Sequence, residues 1–244
     1  MPLEIVITYL ETDPDLTPES LYDYYVRYTP QPVAAISLNG YKVADWDEAN
    51  LPQQPGVYLW LLKDGVELPA IEGYWPQYTC VEVDGRPYRV LYVGQAKTES
   101  LYDRVFQMHL KGNPRHSTLC WSLAAIKGMP YSLDEQRKPN LDKDYCQDLR
   151  SWLRDNCILI YKVCKNKADI DEEESRQIQA FTPPLNLAHN PLKQTDPYIQ
   201  RVSKYRHVSG GYKDASASRW DITKIIPFIL IAGGALTLLY FALQ

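Results

Sequence analysis

The chain has 244 residues, of which 45% are hydrophobic and 23% are charged, and it contains 19 tyrosines. This length and composition exclude a chain too polar to bury a core, and they predict one ordinary domain with appendages or two small domains. The net charge of −4 excludes a uniformly basic protein, but residues 1–50 carry −7, residues 51–192 carry −1 and residues 193–244 carry +4.

The first 50 residues are predicted to form a lead-in segment. We expect a strand at residues 3–10, a helix at 17–28 and a second strand at 32–38, which Asn39-Gly40 ends. No residue pattern here indicates chemistry. The segment therefore either extends the sheet of the main domain or binds a partner.

The main domain is predicted at residues 51–191. Short apolar runs indicate strands, and apolar residues spaced by three or four indicate helices. The predicted strands are 56–62, 90–94 and 157–164, and the predicted helices are 100–111, 117–127, 146–156 and 170–181. A long insertion at 63–89 contains Asp64-Gly65 and Asp84-Gly85, two dipeptides typical of hairpin turns.

The C-terminal segment is predicted to anchor the protein in a membrane. Residues 192–224 are polar and basic, with serine and glycine runs that are typical of a flexible linker. Residues 225–243 carry no charge, and a helix of 19 residues spans about 28 Å, close to the hydrocarbon thickness of a bilayer. Lys213, Arg219 and Lys224 precede the span, which predicts a single-pass anchor with the soluble domain in the cytoplasm.

Glu174 is the first candidate for chemistry. In the last predicted helix of the main domain, its side chain lies in one stripe with Ile170, Ile178 and Phe181, whereas the acids at 171–173 are predicted to face solvent. A carboxylate on an apolar face needs a partner, and a hard divalent cation suits it. The alternatives are a structural glutamate paired with an arginine, or an error of one residue in the predicted register of the helix.

Arg104 is the second candidate. It lies beside the apolar stripe of Leu101, Val105 and Met108 in a predicted helix. An arginine at such an edge can pack its stem and direct its guanidinium into a cleft. Its planar donors suit a phosphate and can stabilise the charge that develops during phosphoryl transfer. The alternative is a solvated arginine on the helix surface.

Several short features follow one another in a fixed order along the chain. They are Gly56-Val57-Tyr58, Tyr92-Val93-Gly94, Arg104, Glu174 and Pro183-Pro184-Leu185-Asn186. This ordered set resembles the GIY-YIG nuclease family over residues 51–190. The resemblance implies an α+β fold with a small mixed or antiparallel sheet flanked by helices, to which this chain adds one C-terminal transmembrane helix.

The resemblance also implies a role for each matching residue. Arg104 is implied to be catalytic, and Tyr58 and Tyr92 are implied to line the cleft and contact the phosphate or the attacking water. Glu174 is implied to bind Mg²⁺ or Mn²⁺, and Asn186 to support the site. These residues together predict a metal-dependent phosphodiesterase.

Tyr58 is in addition a candidate general base. A phenol with its ordinary pKa of about 10 is a poor base at neutral pH, so a nearby cation has to lower that pKa. Lys97, three residues after Gly94, is the side chain we expect to do so, in addition to the metal.

His109 departs from the family's pattern. Related nucleases often carry a histidine four residues after the helix arginine, but here Met108 occupies that position and His109 is the fifth residue after Arg104. One residue turns a helical side chain by about 100°, so His109 is equivalent only if the helix is distorted. His116 is an alternative stand-in.

The spacing between the two tripeptides is the other departure. Tyr58 and Tyr92 are 34 residues apart, which resembles the restriction-endonuclease branch more than the compact members of the family. The insertion contains Tyr74, Trp75 and Tyr78, which either stack on bases or close the base of a hairpin.

The function predicted from these features is that of a membrane-tethered, metal-dependent endonuclease. DNA is the expected substrate by analogy, and the tether suggests defence against invading DNA. The alternatives are a non-catalytic membrane scaffold that binds nucleic acid or protein, and a membrane-anchored endoribonuclease. Residues 225–243 predict the bilayer as a partner, and a homodimer remains open because no pattern decides the oligomeric state.

Overall fold

The computed structural model describes residues 38–44 and 51–213. All of these except Lys213 belong to one compact unit. The elements predicted at residues 3–10 and 17–28, nearly all of the strand at 32–38, and the membrane span at 225–243 lie outside the described residues. Among the helices that are described, none has the length and apolar character needed to cross a membrane.

The core of the domain is an antiparallel sheet. In chain order the strands are β1 (Lys42–Val43), β2 (Gly56–Leu62), β3 (Cys80–Val83), β4 (Arg86–Ala96), β5 (Ser132–Leu133), β6 (Pro139–Asn140) and β7 (Cys157–Val163). Within the described ranges, one sheet has the order β1-β7-β2-β4-β3, and β5 and β6 form a separate hairpin. Every neighbouring pair is antiparallel, which fits the α+β fold expected from the sequence.

Strand β1 belongs to the first 50 residues and extends the main sheet. Lys42 lies opposite Tyr161 and Val43 lies opposite Ile160 in β7. The Tyr41 hydroxyl donates to the Glu173 carboxylate at 2.9 Å, which ties the same segment to a helix. The described end of the lead-in segment is therefore part of the main domain's sheet.

The helical elements flank this sheet. They are a π-helical segment (Asp103–His109), α1 (Thr118–Ile126), α2 (Lys143–Asn156), α3 (Lys167–Phe181), a 3₁₀ turn (Pro191–Gln194) and α4 (Pro197–Arg206). The Ser117 hydroxyl accepts from the Cys120 amide at the start of α1, and Gly128 follows its end with a φ of +63°. The helix predicted at 117–127 is thus confirmed, with Ser117 as its N-cap.

The polar linker predicted from residue 192 is wrong for residues 197–206, which form α4. Tyr198 and Val202 of this helix are completely or almost completely buried against the core, and Asp196 caps its N-terminus. The basic residues of α4 gave the segment its polar composition, but the spacing of Tyr198 and Val202 provides one apolar face. The domain therefore extends past residue 191.

The insertion between β2 and β4 is only partly a hairpin. Asp84 and Gly85 both have positive φ and join β3 to β4, as the sequence predicted. Asp64-Gly65 forms a turn that is not followed by a paired strand, so the hairpin predicted there is wrong. Tyr74 closes a tight turn by a bridge to Ile71, and its ring and that of Trp75 are 44% and 38% exposed. The stacking of these aromatic residues on bases stays a prediction.

The sheet buries both of its faces. Tyr58, Trp60 and Leu62 of β2 point into a larger core that includes residues of α1, α2 and α4, while the intervening residues point into a smaller core under α3. Strict alternation explains why all seven residues of β2 are buried, since each face is covered by helices.

A β-bulge in β4 decides which face Tyr92 occupies. Trp60 pairs with Tyr92, but the next residue, Leu61, pairs with Val90, so Leu91 is an extra residue. As a result Leu91 and Tyr92 both lie in the larger core, on the face of Tyr58. If Leu91 instead paired regularly with Trp60, without a bulge, strict alternation would point Tyr92 to the opposite face of the sheet.

Candidate active site

The two glycines of the tripeptides make room for close backbone and side-chain contacts. Gly94 lies opposite Tyr58 in the sheet, and a Cβ atom at Gly94 would lie 2.3 Å from the Tyr58 hydroxyl. A Cβ atom at Gly56 would lie 2.1 Å from the carbonyl oxygen of Lys162. Any larger residue at Gly94 would displace the Tyr58 ring, so this glycine positions a candidate catalytic side chain.

The Tyr58 hydroxyl is the centre of a buried hydrogen-bond network. It lies 2.6 Å from Nε2 of His109, and Nε of Arg104 donates to it at 3.2 Å. On the other side of the imidazole, Nδ1 of His109 lies 2.6 Å from the Ser117 hydroxyl. Tyr58 and His109 are both fully buried, so the structure brings together three of the predicted site residues.

The π-helical segment explains why His109 reaches this network. The sequence predicted an ordinary helix at 100–111, but the amide of Leu110 donates to the carbonyl of Val105, five residues earlier. In such a turn, residues five apart take the place of residues four apart. Arg104 and His109 therefore both contact Tyr58, whereas the side chain of His116 is outside the network.

The protons in this network follow from its donors. Arg104 can only donate, so the Tyr58 oxygen accepts from it, and we assign the Tyr58 hydrogen to the contact with Nε2 of His109, which makes Nδ1 the protonated nitrogen. Nδ1–H of His109 then donates to the Ser117 hydroxyl oxygen, which also accepts from the Cys120 amide. Burial, and then the charge of Arg104, lower the pKa of His109 well below its ordinary value, so this imidazole is neutral.

The pKa of Tyr58 is raised, which contradicts the expected effect of Lys97. Burial, and then Tyr92, raise this pKa, and Arg104 only partly opposes them. Lys97 forms an ion pair with Asp171 instead. Tyr58 is therefore a neutral hydrogen-bonded phenol in this state, and it can pass a proton on more readily than it can hold a negative charge.

Tyr92 lies on the same face, beside the start of α1. Its hydroxyl is 2.8 Å from the Thr118 hydroxyl, and its ring meets that of His109 edge-on with centroids 6.1 Å apart. Thr118 is an exposed first-turn residue, so this contact lies where the buried network approaches solvent.

Glu174 is half-buried and electrostatically coupled to the tyrosines. Burial, and then Asp171, raise its pKa to about 7, against the opposing charges of Arg104 and Lys97. The negative charge of Glu174 in turn raises the pKa of Tyr58 and of Tyr92. The predicted stripe is confirmed, since Ile170, Ile178 and Phe181 are fully or almost fully buried.

A divalent cation fits the chemistry of Glu174. The carboxylate has no hydrogen bond or ion pair to a side chain within the described residues, and its desolvation disfavours the charged form. No group of three or more metal-binding side chains occurs in the described part of the chain. A cation here would be held by one carboxylate, with water and substrate oxygens as its other ligands.

Glu173, which the sequence predicted to face solvent, is instead buried and structural. Burial alone would raise its pKa, but hydrogen bonds from Gln177, Tyr41, Lys162 and Arg176 lower that pKa to about 2. The sequence pattern missed this role because two of the four donors, Tyr41 and Lys162, come from outside α3.

We expect Glu173→Gln to lower the free energy of unfolding by about 2 kcal/mol near neutral pH, the value of charged hydrogen bonds of this kind. Because the folded pKa is depressed, this stabilisation is present above pH 4.5 and is lost as the pH falls towards 2. Urea unfolding of both proteins at about pH 7 and pH 3 checks this. A difference that stays constant between the two pH values would contradict it.

Asn186 supports the sheet and does not reach the Tyr58 network. Its side-chain oxygen accepts from the Val93 amide and its side-chain nitrogen donates to the Val93 carbonyl, both at 2.8 Å. The buried amide therefore pairs the edge of β4 as a neighbouring strand would. Asn186 is a positioning residue for the strand that carries Tyr92.

We expect Asn186→Ala to destabilise the domain by about 2–4 kcal/mol, because it leaves the buried amide and carbonyl of Val93 unpaired. Asn140→Ala is the matched control, since Asn140 is exposed in β6 and its substitution should cost less than about 0.5 kcal/mol. Thermal unfolding measures both variants. Equal melting temperatures would show that the Val93 contacts contribute nothing.

The sequence analysis missed three residues of this region. Ser117 and Thr118 contact His109 and Tyr92, and Arg206 stacks over Trp121 of α1. The sequence predicted a helix that starts at Ser117, but the contact of Ser117 with an imidazole depends on tertiary packing.

Comparison with known proteins gives one match. The family model of the GIY-YIG catalytic domain matches residues 56–208, which is more than half of the chain. The matched region begins at Gly56 and continues to just beyond α4. No curated protein and no solved structure matches the chain.

Proposed function

The chain belongs to the GIY-YIG catalytic-domain family, and from this premise we propose that it is a metal-dependent endonuclease that cleaves DNA. Family membership supports a nuclease that hydrolyses phosphodiester bonds. The choice of metal, the DNA substrate and the cellular role go beyond what family membership supports, and they are our proposal.

The observation that carries the proposal is the network around the Tyr58 hydroxyl. A guanidinium and a neutral imidazole contact one phenol, at 3.2 and 2.6 Å, and Glu174 acts on the same phenol through its charge. A buried neutral histidine beside a phenol is suited to proton transfer, and an arginine is suited to a phosphate. A binding scaffold would need the arginine but not the histidine.

Glu174 is the residue that would hold the metal, as Mg²⁺ or Mn²⁺. Such a cation supplies charge stabilisation at the scissile phosphate when it is bound. The chain's own residues do the rest. The guanidinium of Arg104 donates to the phosphate oxygens, and the Tyr92 hydroxyl, held by Thr118, limits where the phosphate lies.

Tyr58 and His109 would move the proton of the attacking water. The Tyr58 oxygen accepts that proton while the phenol's own hydrogen passes to Nε2 of His109, so no phenolate is formed. The hydroxide bonds to phosphorus, the bond from phosphorus to the leaving sugar oxygen breaks, and that oxygen takes a proton from water. The proton on His109 then returns through Tyr58 to solvent, which restores the neutral imidazole. Ser117 holds the imidazole in the tautomer that can accept at Nε2.

The first experiment incubates the full chain with supercoiled plasmid in the presence of Mg²⁺ or Mn²⁺, with EDTA as a control. Metal-dependent nicking that disappears in Glu174→Gln supports the proposal. If the plasmid stays intact while a structured RNA is cut, the enzyme is an endoribonuclease. If a folded protein cuts neither, the non-catalytic scaffold replaces the nuclease.

We expect His109→Gln to slow cleavage by about 10²–10⁴-fold, the usual contribution of a positioned acid or base. His116→Gln is the matched control, because His116 is exposed and its side chain lies outside the network. Single-turnover cleavage rates measure both variants. Equal rates for His109→Gln and the unmodified protein would remove His109 from the mechanism.

We also propose that residues 225–243 tether the domain to a membrane, supported by 19 consecutive uncharged residues after a basic segment. Membrane flotation of the full chain, compared with a chain that ends at residue 224, tests the tether. A role in defence against invading DNA depends on this location. Full phage resistance from the shortened, soluble chain would contradict the link between tether and defence.

A further inference from the structure

Arg206, the last residue of α4, is a buried cation without an anionic partner. Arg206 is only 9% exposed, and its Nε atom is buried without a hydrogen-bond partner among the described residues. Among the described residues, no carboxylate lies within ion-pair distance of its guanidinium. This situation is unusual, because buried charges are normally paired.

The position of Arg206 connects it to the candidate active site. Its guanidinium carbon lies 4.1 Å from the centre of the Trp121 ring, on the first half of α1. Thr118 is three residues before Trp121, so the two share a face of α1, and the Thr118 hydroxyl contacts the Tyr92 hydroxyl at 2.8 Å. The positive charge of Arg206 accordingly acts on the Tyr92 phenol.

One more positive charge, that of Arg137, lies near the same tryptophan, whereas burial lowers the pKa of His207 below its ordinary value and leaves that imidazole neutral. His207 meets the ring of Trp121 edge-on, with centroids 5.3 Å apart, and the Arg137 guanidinium donates to the His207 carbonyl at 3.4 Å. Burial lowers the pKa of Arg206 to about 10, so the guanidinium still carries its charge at neutral pH. The region beside Tyr92 and Trp121 therefore carries the positive charges of Arg206 and Arg137.

We propose that Arg206 binds a second backbone phosphate of the substrate strand, next to the phosphate held by Arg104. The inference depends on the proposed nuclease function and deepens it. A guanidinium presents several donors in one plane and forms paired hydrogen bonds with phosphate oxygens. The stack on Trp121 fixes the orientation of that plane before the substrate arrives, so less side-chain freedom is lost on binding.

A purely structural role for Arg206 predicts different behaviour. If the guanidinium only packs on Trp121, an uncharged side chain of similar length would leave nucleic-acid binding and its salt dependence unchanged. If Arg206 binds a phosphate of the substrate, its charge is unpaired in the free protein and destabilises the folded state. Removing that charge should then leave the melting temperature unchanged or raise it.

The test measures binding without cleavage. Full-length Glu174→Gln and Glu174→Gln/Arg206→Met are titrated against a fluorescent duplex of about 20 base pairs between about 50 and 200 mM salt. We expect the Arg206→Met protein to bind about 5–10-fold more weakly near 100 mM salt, with the slope of log K against log salt reduced by about 0.9. Its melting temperature should not fall.

Arg86→Met in the same background is the matched control, since Arg86 is exposed beside the β3–β4 turn and its substitution removes the same charge. Equal affinity and equal salt slope for Arg206→Met and its parent would overturn the inference, as would a lower melting temperature with an unchanged slope. Failure of the parent protein to bind nucleic acid at all would instead overturn the proposed function, and this inference with it.

Discussion

Glu174→Gln is expected to slow plasmid cleavage by about 10³-fold or more while nucleic-acid binding is retained. The substitution keeps the size of the side chain and removes only its charge, so a metal bound by one carboxylate would lose its protein ligand. Glu172→Gln is the matched control, because Glu172 is an exposed acid on the same helix. We expect cleavage by the control within about twofold of the unmodified rate, since surface substitutions have small effects.

The same substitution is expected to change the pH dependence of stability. Burial, and then Asp171, raise the pKa of Glu174 to about 7, so the folded protein holds this proton more tightly than the unfolded chain does. Stability is therefore lost as the pH rises from about 4.5 to about 7, by at most about 3 kcal/mol. Without metal, Glu174→Gln should be more stable than the unmodified protein above pH 7 and equal to it below pH 4.5.

Thermal unfolding with and without metal separates a metal ligand from a structural glutamate. Mg²⁺ or Mn²⁺ should raise the melting temperature of the unmodified protein, because a ligand of the folded state stabilises it, and should not raise that of Glu174→Gln. A variant that is less stable than the unmodified protein at every pH, with or without metal, would identify Glu174 as a structural residue and remove it from the metal site.

Arg104→Lys is expected to lower kcat/KM by about 10²–10³-fold. Lysine keeps the positive charge but not the planar set of donors. In the structure Nε of Arg104 donates to the Tyr58 hydroxyl at 3.2 Å, while Nη1 donates to the His116 carbonyl at 3.4 Å. A single ammonium group cannot hold this orientation and also bind a phosphate.

The kinetic constants show whether Arg104 acts on the bound substrate or on the transition state. We expect kcat to fall more than KM rises, because the arginine compensates charge that develops during the reaction. Arg115→Lys, at an exposed ion pair with Asp134, is the control and should keep its activity. A loss confined to KM would make Arg104 a residue that only binds the substrate.

Much of the candidate site was predictable because its features are local. The Ile170, Ile178 and Phe181 spacing determines which face of α3 is buried, and it brings Glu174 to the edge of that face. Alternation in β2 likewise determines that Tyr58 points to one side of the sheet. These features depend on residues within about ten positions of one another, so the sequence of a single chain is sufficient to predict them.

The hydrogen-bond partners of the acids and the arginines were not predictable in this way. Glu173 resembles its exposed neighbours in sequence, but two of the four side chains that donate to it, Tyr41 and Lys162, come from other parts of the chain. Arg206 belongs to a segment whose composition is typical of a linker. Its place beside Trp121 depends on the packing of α4 against α1.

The sequence by itself determined the order of the motifs and the helical face that carries Glu174. The tertiary structure decided two points of geometry on which the chemistry depends. The bulge at Leu91 brings Tyr92 to the face of Tyr58, and the π-helical turn brings His109 to the Tyr58 hydroxyl. Each is a shift of one residue in a regular repeat. Local preferences barely distinguish such shifts, so the packing of the surrounding core decides them.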